Sequence, residues 1–255
     1  ELVNFIEDKI KNEKWSPEAV IGYINTHPDL NFKTEICFKT LYNYIHAGLF
    51  LNVRESDLKH YRKKKKKEGK PVAMHNLHGA SIAERPEEIR SRDSFGHWEM
   101  DTVIGQRDKK NCLLVLSERK TRTEIIRKIK SKSQEVVKAA LDQIEKDLGA
   151  ETFRERFKTI TTDNGVEFLD AGKIENSIFE GKRTTSYYCH PYSSWERGTN
   201  ENINKMIRRW IPKGADITLY TDQQIAYIEH WINAFPRKIF GFRSSRDMLR
   251  AELQQ

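Results

Sequence analysis

The feature that most constrains this chain is a change of hydrophobic period at Ser94. Well before it, over residues 1–50, apolar residues recur at helical spacing. After it, HWEMDTVIG, NCLLVLSER and RTEIIRKI are three runs rich in β-branched residues, separated by polar turns such as QRDKK, and they read as strands. SQEVVKAALDQIEKDLG then gives an amphipathic helix with Ser133 as its cap, FKTITTDNG a fourth strand, VEFLDAGKIEN a helix and KRTTSYYC a fifth strand. A helix follows from about Gly198 to Trp210, and another over 222–234, with Ile225, Ile228 and Ile232 on one side and Thr221 as cap. Three strands, helix, strand, helix, strand, helix is an α/β layer pattern, so a mixed five-stranded sheet flanked by helices is expected over 94–240.

The front of the chain has another texture. Ser16-Pro17-Glu18 is a helix start: a capping hydroxyl, proline at the first helical position, then an acid near the positive end of the dipole. A second helix fits Cys37 to Ala47, ended by Gly48, with Phe38, Leu41, Tyr42 and Ile45 on one face and Lys39, Thr40 and Asn43 pointing away. Residues 1–53 therefore suit a small all-α helix-turn-helix reader of DNA, or equally a helical pair that packs on a neighbour. Residues 54–93 have little periodicity and contain Arg62, Lys63, Lys64, Lys65, Lys66 and Lys67 in succession, a solvated linker or a phosphate-tracking one. Residues 241–255 read as a C-terminal helical tail.

Charge narrows the partner. Lys plus Arg number 45 and Asp plus Glu 37, a net charge of +8, which suits a polyanion but also fits an ordinary basic protein. No apolar run reaches the ~18 residues of a membrane span, and ELVNFIEDKI is acidic where a signal peptide is basic, so a cytosolic protein is expected. Cys37, Cys112 and Cys189 lie far apart, which argues against a disulfide framework or a zinc knuckle, and His75 and His78 have no ligand-spaced neighbour. Residue 1 is Glu and the first segment reads as mid-domain helix, so a fragment or processed chain is expected.

The chemistry lies in carboxylates. Two divalent ions flanking a phosphate can drive phosphoryl transfer when a few oxygen ligands hold them on strand ends or on a helix facing the sheet. Asp101 lies in the first strand, on one face with His97 and Glu99. Asp163 closes the fourth strand before the turn residues Asn164-Gly165, and Glu201 lies early in the helix near Thr199. On that helix Lys205 and Arg208 fall roughly 40° and 20° from Glu201, while Ile203, Met206, Ile207 and Trp210 form another, apolar face. Taken singly, each carboxylate also reads blandly: a strand-end charge, a common Asp-Asn-Gly turn, an exposed Glu-Lys pair. Arg197 suits a DNA contact or a helix-entry salt bridge; Glu99 suits a hydrogen-bonding role; Glu167 and Asp170 read as surface charges.

At this point a resemblance becomes visible. GHWEMDTVIG, TTDNGVEF, HPYSSWERGTNENINKMIRRWIPKGADI and NAFPRKIFGFRS, with WSPEAVIGYIN and CFKTLYNYI upstream, resemble the DDE transposases of the bacterial insertion-sequence-thirty family, relatives of retroviral-type integrases. The resemblance implies an RNase H-like catalytic fold, two Mg²⁺ or Mn²⁺ ions held by Asp101, Asp163 and Glu201, and strand cleavage followed by strand transfer. It implies double-stranded DNA as partner, both terminal inverted repeats and target, and bringing two ends together implies a homodimer. The family usually carries a further N-terminal helix-turn-helix, which does not occur in these residues. A purely hydrolytic relative such as a junction resolvase, or a DNA-binding protein without chemistry, are the competing readings; the upstream helices and the intact carboxylates speak against them.

Overall fold

The computed structural model describes residues 1–58, 79–191, 193, 196 and 198–254. In chain order its elements are α1 (Leu2–Lys11), α2 (Pro17–Thr26), α3 (Phe38–His46), β1 (Ala80–Ser81), β2 (His97–Ile104), β3 (Cys112–Glu118), β4 (Glu124–Ile129), α4 (Gln134–Leu148), α5 (Ala150–Arg156), β5 (Thr159–Thr162), α6 (Ala171–Glu175), β6 (Thr185–Tyr188), α7 (Gly198–Ile207), α8 (Asp222–Ala234) and α9 (Ser245–Leu253). They divide into two compact units, Glu1–Pro71 with Ala234–Ala251, and Val72–Asn233 with Glu252–Gln255. Among the described residues no helix is long and apolar enough to cross a membrane.

In the first unit α1 packs on α2 and α2 on α3. The Ser16 hydroxyl accepts the Ala19 amide at 3.2 Å with Pro17 opening the helix, the start that the sequence announces. On α3, Leu41 and Ile45 are buried. The segment from Ala234 joins these helices: Trp15 meets Phe235 edge-on at 5.9 Å, and Lys238 pairs with Glu18 at 2.7 Å. Phe242 lies against Gly22, where an added Cβ would stand 2.2 Å from the ring, so this close approach requires glycine.

The second unit is built on a mixed sheet with strand order β1-β6-β5-β2-β3-β4. Pairs β1/β6, β6/β5 and β5/β2 are parallel, whereas β2/β3 and β3/β4 are antiparallel. The sheet has six strands and not the expected five. The additional strand, β1, is two residues long and arises within 54–93, the stretch read as linker, where two residues give no visible period. Two helical readings also change. α5 follows α4 directly through Gly149 at φ 82°, and the helix expected from Val166 begins only at Ala171. Before it, Phe168 is buried and the Tyr188 hydroxyl donates to its carbonyl at 2.5 Å, so tertiary contacts hold 165–168 as a turn.

One face of the sheet carries the apolar core. Trp98, Met100, Leu114 and Ile160 pack with Val137, Leu141 and Ile144 of α4 and Phe153 of α5. The edge strand β4 is covered by α8: Asn233 accepts the Glu124 amide and donates to its carbonyl, both at 2.8 Å, and Glu229 accepts the Ile126 amide at 2.6 Å. These side chains satisfy the outer edge of β4, which would otherwise pair with another chain. Thr221 and Gln224 cap α8 reciprocally at 3.2 and 2.8 Å, as Thr221 was expected to do.

His97, buried between strands, makes a 2.8 Å hydrogen bond with Thr159 of β5. Burial, then the nearby charges of Lys158, Arg119 and Arg85, push its pKa down to about 4 from 6.5. In the unfolded chain the ring takes up a proton near its ordinary value, so folding stability is unaffected above pH 6.5 and falls as the pH drops from there toward 4. The full span corresponds to about 3 kcal/mol. Denaturant titrations at pH 7, 5.5 and 4.5 should show this loss, and His97→Asn should flatten that part of the profile.

Candidate active site

Parallel pairing of β2 with β5 sets Glu99 opposite Thr161. The paired ladder ends there; Asp101 lies two residues further along β2, and Asp163 two residues beyond Thr161, just past the end of β5. Asp163 follows the last residue of β5, and its Oδ1 accepts the Gly165 amide at 2.9 Å, which holds the Asp-Asn-Gly turn. Both carboxylates are half-buried, open to solvent on one side.

Gly165 makes this corner possible. A Cβ there would stand 2.6 Å from Glu167 Oε2 and 2.9 Å from Asp163 Oδ1. Glu167, expected as a surface charge, is instead 2% exposed. Its Oε1 accepts from the Thr102 hydroxyl at 2.7 Å and lies 3.1 Å from Lys132 Nζ. The expectation failed because the residue lies in the turn before α6 and not on an outward helix face. Its closeness to Asp163 was hidden in the spacing; Asp-Asn-Gly-x-Glu, with glycine between the acids, is the signal that could have found it.

Helix α7 packs against β2 and β3 through Ile203, Met206 and Ile207, three of the four apolar residues expected there. Its Asn204 Nδ2 donates to Asp101 Oδ2 at 3.2 Å. Glu201 lies one turn ahead of Asn204 and is exposed; Lys205, one turn beyond Glu201, is exposed as well. Among the described residues no three His, Cys, Asp or Glu side chains gather closely enough to hold a metal ion. The structure therefore links α7 to Asp101 through Asn204, sets Asp163 in the turn just past β5, and leaves Glu201 as an exposed carboxylate on α7. Asn204 was not singled out in the sequence, although its i+3 spacing from Glu201 made it findable.

Arg208 has other partners than phosphate in this structure. Its guanidinium donates to the Ile104 carbonyl at 2.7 Å and to those of Pro212 and Ile211 at 3.3 and 3.4 Å, and burial lowers its pKa. It ties the end of α7 to the end of β2. Glu99 is fully buried and ion-paired with Arg119 at 2.9 Å.

In the first unit, Lys39 and Asn43 are exposed on α3. Thr40 is half-buried, with its amide and hydroxyl 3.5 and 3.3 Å from Cys37 Sγ, which caps the helix. The basic run Arg62, Lys63, Lys64, Lys65, Lys66 and Lys67, the histidines His75 and His78, and Arg197 lie outside the described residues.

No family model matches the chain. Curated relatives do. It is 39% identical over 212 residues to a probable transposase for insertion-like sequence element IS1161 of Streptococcus salivarius, covering 82% of this chain and 57% of the relative. It is 33% identical over 245 residues to transposase InsI for insertion sequence element IS30C of Escherichia coli (strain K12), covering 92% and 61%. To the transposase for insertion sequence element IS4351 of Bacteroides fragilis it is 30% identical over 250 residues, covering 97% of this chain and 72% of that protein. The chain thus spans about three fifths of the length of the first two. With identity of this order sustained over nearly its whole length, the chain belongs to the IS30 family of insertion-sequence transposases.

Proposed function

We propose that this chain cuts and joins DNA as the catalytic part of an insertion-sequence transposase, on an RNase H-like sheet, with Asp101, Asp163 and Glu201 as ligands of two Mg²⁺ or Mn²⁺ ions. The observation that supports the reading is the β2–β5 pairing, with Asp101 on β2 and Asp163 just past the end of the neighbouring parallel β5, and Asn204 of α7 bonded to Asp101. The donor set fits: all three groups are carboxylates, suited to hard cations, and none is closed off from substrate oxygens and water. When bound, the two ions supply activation of the attacking hydroxyl and stabilisation of the leaving oxygen.

The chain's own groups do the rest. Asn204 fixes the rotamer of Asp101 and the Gly165 amide fixes that of Asp163, so the two carboxylates are held still before substrate arrives. Lys205 neutralises a phosphate beside them. In the first unit, Lys39, Thr40 and Asn43 of α3 act as the recognition face of a helix-turn-helix, reading base edges or adjacent phosphates at the terminal inverted repeats. Arg62 to Lys67 and Arg197 add sequence-independent affinity. Two copies act on paired ends, and target DNA is the second substrate.

Asp101→Asn, Asp163→Asn and Glu201→Gln should each lower cleavage of an end-bearing duplex on the order of 10³-fold or more, because each removes a ligand of the charge-stabilising ions. DNA binding by gel shift should stay within a few-fold of wild type. A variant that cleaves at the wild-type rate removes its residue from the site.

Metal dependence is a separate check. Cleavage should proceed in Mg²⁺ or Mn²⁺ and stop in EDTA. In Ca²⁺ the DNA should bind without turnover, because a larger ion tolerates irregular shells that do not close the reactive geometry.

Lys205 and Arg208 should part company. Lys205→Ala should reduce cleavage with little change in melting temperature. Arg208→Ala, which strips charged donors from three carbonyls, should cost about 2 kcal/mol of stability. Parallel melting and cleavage measurements on the two variants check both outcomes.

A further inference from the structure

A cavity of about 500 Å³ lies in the second unit, and its charged lining is dominated by Arg85, Arg90, Arg92 and Arg119. Two of these arginines reach the face of the sheet that bears Asp101. Arg85 donates to the Thr161 hydroxyl at 3.2 Å, and Arg119 pairs with Glu99 at 2.9 Å. Thr161 and Glu99 come two residues before Asp163 and Asp101 in sequence, a rise of about 7 Å along an extended strand, so the arginines anchor close to the carboxylates.

The negative groups nearby each have a cationic or imidazole partner, although the second oxygen of Glu99, Oε2, has no hydrogen-bond donor. Glu99 is paired with Arg119; Glu196, which lines the wall, is bonded to His190 at 2.7 Å; Glu87 pairs with Arg90 on the outer surface at 3.0 Å. Arg85 and Arg119 are more than nine-tenths buried, yet the Nε–H of each has no hydrogen-bond partner. Burial and their mutual repulsion lower the pKa of Arg119 to about 10. Arg92, half-buried, holds its side chain there from a left-handed backbone, φ 65°, which costs a non-glycine residue about 1 kcal/mol. Four arginines line the cavity against one carboxylate, Glu196, and such an excess of cations forms a receptor for an anion.

We propose that this arginine pocket is a seat for one backbone phosphate of the DNA strand that runs past Asp101 and Asp163, fixing the register of the strand. The inference rests on the proposed action on DNA. A phosphodiester matches the more open arginines of the lining, Arg90 and Arg92, since guanidinium groups grip phosphate oxygens in pairs. It carries no base information, so the seat serves terminal and target DNA alike.

The test uses the full chain and a labelled random-sequence duplex in Ca²⁺, with affinity measured by anisotropy over a series of KCl concentrations. Arg92→Asn removes the charge while keeping a residue that tolerates the left-handed backbone, and the exposed Arg90→Gln is a second variant with little risk to folding. Lys146→Gln, exposed on α4 across the sheet, controls for general charge loss. One lost phosphate contact makes the slope of log affinity against log salt shallower by about 0.9, so Arg92→Asn should show that change and bind several-fold more weakly. Arg90→Gln should move in the same direction, and Lys146→Gln should follow wild type. Wild-type slopes in both arginine variants, or an equal change in Lys146→Gln, would overturn the proposal. So would inorganic phosphate raising the melting temperature of wild type but not of Arg92→Asn while the DNA slopes stay equal, since the pocket would then take a free anion. Cleavage by the wild-type chain in Mg²⁺ is scored separately. A slope change without any cleavage keeps the pocket and rejects the transposase reading; cleavage with unchanged slopes does the reverse.

Discussion

The parallel pairing of β2 with β5 is the constraint on which the second unit depends. Two parallel strands cannot be joined by a tight turn, so the chain from Ile129 to Thr159 must cross over the sheet, and α4 and α5 are that crossing. Their apolar faces bury Trp98, Met100 and Ile160 on one side of the sheet. The crossover thus settles which alternating residues of β2 and β5 face a helix layer of core and which face the other way. His97, Glu99, Asp101, Thr161 and Asp163 belong to that other face, and a slip of one residue would exchange the two sets.

This second face carries charge at a cost that packing does not explain. The Glu99–Arg119 pair is fully desolvated, and such a pair is seldom better for stability than well-packed apolar residues of the same size, although loss of either partner costs several kcal/mol. What the pair provides is a fixed arrangement of donors and acceptors under the strand ends. Asn204 and Gly165 extend the same arrangement to Asp101 and Asp163. A rigid polar floor is the setting in which carboxylates keep their geometry when a polyanion is brought against them.

Much of this was legible in the sequence. The strands β2 to β6 follow from β-branched runs bounded by polar turns, and α7 and α8 from apolar residues at helical spacing, because periodicity reports directly on which side of an element is buried. Asp101 and Asp163 could be placed at their strand positions for the same reason. The rest was set by contacts distant in sequence. β1 exists only because β6 offers it an edge more than a hundred residues later. Residues 165–168 turn because Tyr188 and the core hold Phe168, and this buries Glu167. Arg208, on the face shared with Glu201, turns to carbonyls that no helical projection includes. Local pattern gives faces; it does not say which neighbour will occupy them.

The make-up of the first unit has a consequence for the order of events during synthesis. Its helices α1 to α3 leave the ribosome first, but the segment that completes them, with Phe235 against Trp15 and Phe242 against Gly22, is encoded after the whole of β1 to β6. At about 5–20 residues per second the helices wait roughly 10–35 s for that segment, while the sheet has everything it needs sooner. A nascent chain therefore holds a paired sheet while its helical unit still lacks the segment that completes it.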